Sequence, residues 1–186
     1  MNWFRIAPEA STARNVTTTL AQVVVMWSTF LVALPAAIHC WTVLQGLAPT
    51  PFPGHRAIGI ALFLAASPLG LTTGLLMAVR GRGTPLPMQT ARELVIAGPY
   101  RHVRNPMALA GIAQGTAVGL YLADVVVIGY ALVGAVLWHT VARPPEERDL
   151  LQRFGEPYRR YRDEVPLWLP RLRAYTPRAI ADTECG

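Results

Sequence analysis

Residues 106–141 read PMALAGIAQGTAVGLYLADVVVIGYALVGAVLWHTV, 36 residues with a single charge, Asp124, near the middle. Asp124 divides the run into two apolar segments, Pro106–Leu122 and Val125–Val141. At 1.5 Å per residue, about seventeen residues reach roughly 26 Å, the short end of what crosses a bilayer. Two longer uncharged runs precede them, at about 20–47 and 57–79. A lone hairpin of this length also reads as the core of a soluble protein; the two longer runs turn the reading to a membrane. The expected fold is all-α: one polytopic integral membrane domain over 1–186, with about four transmembrane helices.

Composition agrees. Hydrophobic residues make up 52% of the chain and charged residues 15%, with a mean hydropathy of +0.31, more apolar than a soluble domain of this size. The charge is segregated. Arg5 and Arg14 precede the first run, Arg56 alone lies in the first loop, and the third loop holds only Asp124. Arg80, Arg82, Arg92, Arg101 and Arg104 fill the second loop, and nine arginines from Arg143 to Arg178 follow the fourth run. Four spans with this alternation place both termini and the second loop in the cytoplasm. The net charge of +6 contains no lysine. Because the arginines flank spans, their expected partners are anionic membrane lipids, not nucleic acid.

The first apolar run is too long for a signal-peptide core, so no cleavable signal is expected. Cys40 falls inside a span and Cys185 near the end, which makes a disulfide improbable, and no metal site is expected. Gly81, Gly83, Pro85 and Pro87 mark an irregular second loop, and the last dozen residues read as a disordered tail. Pro35 is expected to kink the first span. His39 and Gln114 either face a polar cavity or satisfy a neighbouring helix, the second being favoured. Gly111, Gly115 and Gly119 recur every four residues, a pattern that close helix packing explains. No carboxylate lies deep in a span, which argues against a proton-coupled transporter.

Two polar blocks bracket the hairpin. Gly98-Pro99-Tyr100-Arg101-His102-Val103-Arg104-Asn105-Pro106-Met107 comes before it. Arg143-Pro144-Pro145-Glu146-Glu147-Arg148 follows, continuing through Phe154-Gly155, Tyr158, Tyr161 and Val165 to Leu169-Pro170. A hairpin that crosses twice returns both blocks to one surface, where arginines, carboxylates and tyrosines gather. Leu150, Leu151, Phe154, Tyr158, Tyr161 and Val165 recur at three- and four-residue spacing, predicting an amphipathic interfacial helix bent at Gly155 and Pro157. Periodicity alone makes it a surface-lying anchor. The Pro166–Pro170 stretch with Trp168 suits the headgroup region.

The ordered pair of blocks, over residues 94–171, resembles the isoprenylcysteine carboxyl methyltransferase and phospholipid methyltransferase superfamily. The resemblance implies a small helical membrane enzyme that binds S-adenosylmethionine in its C-terminal half without a Rossmann fold; the chain has no Gly-x-Gly-x-x-Gly between strand and helix. It implies a cofactor site at Tyr100, His102, Arg104, Asn105, Pro106, Glu146, Glu147 and Tyr158, with Arg104 and Glu147 as the catalytic pair. Glu146 or Glu147 suits the donor's ammonium or sulfonium, and Arg104 or Arg101 its carboxylate. The tyrosines suit adenine stacking or a cation–π contact with the sulfonium. His102 or a glutamate is the expected base if the acceptor must lose a proton.

Asn105 stands where the family commonly has histidine, which removes any acid–base role at that position. Ala108 stands where an aromatic is common. Against these roles, Arg104 and Glu147 can form a purely structural ion pair at the hairpin base. The expected activity is methyl transfer from S-adenosylmethionine to a lipophilic acceptor carrying a carboxylate, thiol, phenol or amine, at a cytoplasmic site. The alternatives are a non-catalytic scaffold or carrier that keeps the family shell, and a lipid-modifying enzyme built on His39 or His139.

Overall fold

The computed structural model describes residues 5–6, 10–47, 49–82, 89–90 and 92–177. Gly83, Pro85, Pro87, Arg178 and Cys185 lie outside them. The helices are α1 (Thr12–Trp27), α2 (Leu34–Leu44), α3 (His55–Arg80), α4 (Pro106–Leu122), α5 (Val125–Leu137) and α6 (Arg143–Glu164). α1 and α2 join through a π-helical stretch, Ser28–Ala33, and α5 and α6 through another, Trp138–Ala142. Strands β1 (Arg5–Ile6) and β2 (Gln89–Thr90) form a two-residue parallel bridge, the β pairing among the described residues.

Among the described residues, three helices are long and apolar enough to cross a membrane: Thr12–Leu44, His55–Arg80 and Val125–Glu164, whose apolar part precedes Arg143. Pro106–Leu122 is a shorter apolar helix. The protein is thus an all-helical polytopic membrane protein. Val24, Val25, Val32, Leu64, Val133 and Val136 all point outward. Apolar side chains spread around the whole circumference of a helix need lipid as solvent.

Both π-helical stretches stand just ahead of prolines, at Pro35 and at Pro144-Pro145. A proline offers no amide hydrogen and its ring crowds the carbonyl four residues back. Those carbonyls belong to Leu31, Thr140 and Val141, inside the widened turns that relieve the crowding. Pro35 therefore acts through a six-residue π stretch. Across the bundle, the Tyr130 hydroxyl donates to Phe30 O in that stretch at 3.2 Å.

Small residues set the helix seams. A side chain at Gly59 of α3 would meet Ala117 O of α4 at 2.8 Å, and one at Gly119 would meet Ile128 N of α5 at 2.8 Å. Gly115 abuts Ala131 in the same way, but a Cβ at Gly111 would meet nothing within 4 Å. The expected three-glycine seam is thus a two-glycine one: α4 and α5 touch near their turn and part towards the other end.

The turn is tightly bonded. Ala123 takes a left-handed conformation (φ 54°). Asp124 then caps α5, accepting from Val126 N at 2.9 Å and Val127 N at 3.4 Å. Its other oxygen accepts from the Thr42 hydroxyl at 2.6 Å and faces His39 Nδ1 at 2.8 Å, a contact in which the imidazole must donate. Gln114 donates to the Ser67 hydroxyl of α3 at 3.0 Å. His39 and Gln114 thus serve neighbouring elements, as favoured above.

Candidate functional site

The site is assembled where the two polar blocks meet. Pro106 opens α4 at a position that needs no amide donor, and Asn105 caps it, its Oδ1 accepting from Ala108 N at 3.3 Å. Arg104 precedes this cap. On the other strand of the hairpin, helical spacing puts Arg143, Glu146 and Glu147 on one face of the first turn of α6.

These four charges form one cluster. The Arg104 guanidinium bonds the Glu147 carboxylate through Nη1, while its Nε donates to Val165 O at 2.7 Å. Arg143 donates from Nε to Glu147 Oε1 at 3.1 Å, from Nη1 to Glu146 Oε2 at 3.0 Å and from Nη2 to the Tyr158 hydroxyl at 3.1 Å. Exposure rises across the set, from 6% for the Arg143 side chain and 12% for Arg104 to 24% for Glu147 and 31% for Glu146. Two guanidiniums oppose two carboxylates, so the cluster is neutral and opens on its acidic side.

Its floor is tyrosine. Tyr158, Tyr161, Val165 and Tyr175 are buried together, with Leu94, Ile96, Leu150, Leu151 and Phe154 against them. The apolar face of α6 therefore packs inward on the protein, and the reading of a surface-lying anchor is corrected. Gly155 makes the expected bend, with φ 54° and ψ −129°. The expected C-terminal tail is corrected at its start, because Tyr175 is buried against Tyr161 with ring centroids 5.7 Å apart. The Tyr161 hydroxyl donates to Tyr100 O at 2.6 Å, and Arg104 N donates to Pro166 O at 2.9 Å, tying both blocks together through their backbones.

Burial pushes the Tyr158 phenol above its ordinary value; the Arg143 guanidinium opposes this and Glu147 adds to it. Burial likewise raises Tyr100 and Tyr161. Burial works against the charge of Arg143, but Glu146 and Glu147 more than offset it and hold its proton more firmly than usual. Tyr100, Tyr158 and Tyr161 are therefore neutral and Arg143 charged throughout the physiological range.

Of the residues singled out above, the structure gathers Arg104, Glu146, Glu147 and Tyr158, with Asn105 and Pro106 adjoining. Tyr100 is buried against Val95 and Ala97. His102 is engaged elsewhere, its Nδ1 lying 2.8 Å from Arg171 O, and Arg101 bonds Tyr175 O and the Thr176 hydroxyl. His139 accepts from the Trp168 indole at 3.2 Å, and His39 is held at the far turn. The residue that sequence reasoning missed is Arg143, the hub of the cluster. Its spacing of three and four from Glu146 and Glu147 was the available signal.

A methyl donor of the S-adenosylmethionine kind carries a carboxylate, an ammonium and a sulfonium, so its site needs free hydrogen-bond donors beside acidic oxygens. Asn105 Nδ2 is buried and has no partner among the described residues. Glu146 bonds Arg143 through Oε2 and is the more exposed of the two carboxylates. This donor set fits such a group. An open recess lined by Arg80, Arg82 and Glu93, at the end of α3, is bordered by Val95 and Ala97, against which Tyr100 packs. None of the four charged residues lines it.

The family described as phospholipid methyltransferase matches residues 55–157, more than half of the chain. A 73-residue stretch is 40% identical to the methanethiol S-methyltransferase of Mycobacterium tuberculosis (strain ATCC 25618 / H37Rv), covering 38% of this chain and 28% of that relative. The alignment thus spans little more than a quarter of the relative's length. No solved structure matches significantly.

Proposed function

Since the chain belongs to the phospholipid methyltransferase family, we propose that it uses S-adenosylmethionine to methylate a lipophilic acceptor that partitions into the bilayer. The observation that carries this reading is the cluster of Arg104, Arg143, Glu146 and Glu147, open on its acidic side, with the unpaired Asn105 amide beside it.

When bound, the donor supplies an electrophilic methyl: the acceptor's heteroatom bonds to that carbon as the carbon–sulfur bond breaks, a thioether leaves, and any proton on the acceptor is lost. The protein's part is alignment and exclusion of water. Glu147, fixed by two guanidiniums, presents a stationary negative charge, and Glu146 is free to take an ammonium. Asn105 Nδ2 can donate to a carboxylate, and Tyr158, neutral and fully buried, keeps Arg143 in place. For acceptors that must lose a proton, Glu146 is the carboxylate left within the cluster, since His102 is held on Arg171 O outside it. Glu147 Oε1 is already shared by two arginines. With the arginine-rich segments on the cytoplasmic side, the cluster faces the compartment that supplies the donor.

Calorimetric titration of S-adenosylhomocysteine into the full chain in detergent tests the reading. Micromolar binding is expected, with a loss of about a hundredfold in Glu147→Gln and Arg104→Ala, as fits a charged contact. A folded wild type that binds nothing overturns it in favour of a carrier or scaffold.

A further inference from the structure

Hydroxyls within the helices of this protein follow a common pattern. Thr17, Ser67, Thr73 and Thr140 each turn the side chain back onto the carbonyl four residues earlier, at 2.7–3.1 Å. That is how an apolar helix hides a hydroxyl. Thr19, on α1, is 1% exposed, yet its hydroxyl has no partner among the described residues. One helical turn later, Gln22 Oε1 is also buried and also unpartnered. Asn15, buried one turn before Thr19, extends the same polar stripe.

Thr19 of this stripe lies near the start of α4. A Cβ at Gly74 of α3 would meet the Thr19 methyl at 3.5 Å and the end of Met107 at 3.7 Å. Met107 lies two residues after Asn105, whose amide nitrogen is likewise unpartnered among the described residues, as is the Trp138 indole in the α5–α6 junction. Two turns earlier on the same face of α3, by contrast, Gln114 is paired with Ser67. Unpaired polar groups cost most where no water reaches, so Thr19 and Gln22, one turn apart in a protein that elsewhere bonds buried hydroxyls such as those of Thr42 and Thr73, call for a ligand.

We propose that the methyl acceptor's polar head docks in the seam between α1 and the start of α4, on Thr19 and Gln22. The proposal rests on the methyl-transfer reading above and deepens it. Gln22 Oε1 can only accept, so the head must carry a hydrogen-bond donor. The charged residue of α1 is Arg14, which is exposed, so nothing on this helix face neutralises an anion. The acceptor is therefore a neutral thiol, phenol or alcohol on an apolar body, and not a carboxylate. Gln22 is only partly buried and Val24 and Val25 beyond it face the lipid, so the body extends into the bilayer.

Alkyl chains of equal length ending in a thiol, a phenol or a carboxylate are offered to the full protein in detergent with S-adenosylmethionine. S-adenosylhomocysteine formation is followed, and its binding is measured separately by calorimetry. The thiol or phenol is expected to turn over and the carboxylate not. Thr19→Val and Gln22→Leu should each raise the acceptor's KM by about three- to tenfold, the worth of one hydrogen bond. Neither should change S-adenosylhomocysteine affinity, Thr19→Ser should restore the KM, and Thr17→Val should leave it alone. Preference for the carboxylate, or unchanged KM in both variants, overturns the acceptor site while leaving the methyl-transfer reading intact. Loss of S-adenosylhomocysteine binding by the wild type overturns both. As a readout free of turnover, direct titration of the alkylphenol into wild type and Gln22→Leu should show the same weakening.

Discussion

The two ends of the α4–α5 hairpin are held by opposite means. At the turn, Asp124 uses both oxygens on His39, Thr42 and two backbone amides, and Gly119 lets Ile128 approach to backbone contact. Every bond there is accounted for by the protein itself. At the other end the helices have parted, Gly111 faces open space, and charge across the gap replaces contact. That end also carries an unpaired amide and a half-open carboxylate. A closed end fixes the angle of the hairpin, and an end bridged mainly by charged side chains keeps room for a ligand.

Breaking the bridged end should have the largest effect. Arg143→Met strips Glu146 of its arginine, leaves Glu147 with Arg104 alone and removes the partner of the buried Tyr158 hydroxyl, which should cost about 3–5 kcal/mol in an unfolding titration in mixed micelles. A loss under about 1 kcal/mol would mean that the tyrosine floor alone holds this end. The closed end should respond to volume. Gly119→Ala forces a methyl against Ile128 N and should cost about 1–3 kcal/mol. Gly111→Ala, with open space before it, should be neutral or stabilising by up to about 1 kcal/mol. Equal effects at the two glycines would erase the contrast between the ends.

The smallest effect concerns alkaline pH. Tyr100, Tyr158 and Tyr161 all have raised values in the folded protein. Below an unfolded tyrosine's value of about 10 both states hold the phenol protons and stability does not depend on these groups. Above it the unfolded chain ionises first, so stability falls as pH rises towards the folded values. Unfolding titrations at pH 9 and pH 11 should show this decline, and Tyr158→Phe should reduce it. The same decline in Tyr158→Phe would place its origin at the other tyrosines.

Much of this was legible in the chain. Charge-free runs located the helices, although the first helix begins at Thr12, well before the apolar run, because a helix continues into polar sequence when Ser11 caps it. The two blocks named most of the cluster, since residues flanking a hairpin must meet. Arg143 escaped notice because an arginine opening a run of prolines and acids looks like a solvated helix start. The direction of the α6 apolar face was not legible either. A period of 3.6 states that one side is apolar but not whether lipid or the 94–96 segment will cover it.

By itself, then, the sequence determined the helical membrane fold, the two polar blocks and their return to one surface, because hydrophobic length and charge placement are properties of the chain read locally. Tertiary structure alone decided that Arg143 is the hub, that Gly119 closes a seam and Gly111 does not, and that the Thr19 hydroxyl and Gln22 Oε1 lack partners among the described residues. Those facts depend on which side chains from distant segments arrive at the same place, and a hydrogen bond left unmade is visible only when all its possible partners have been positioned.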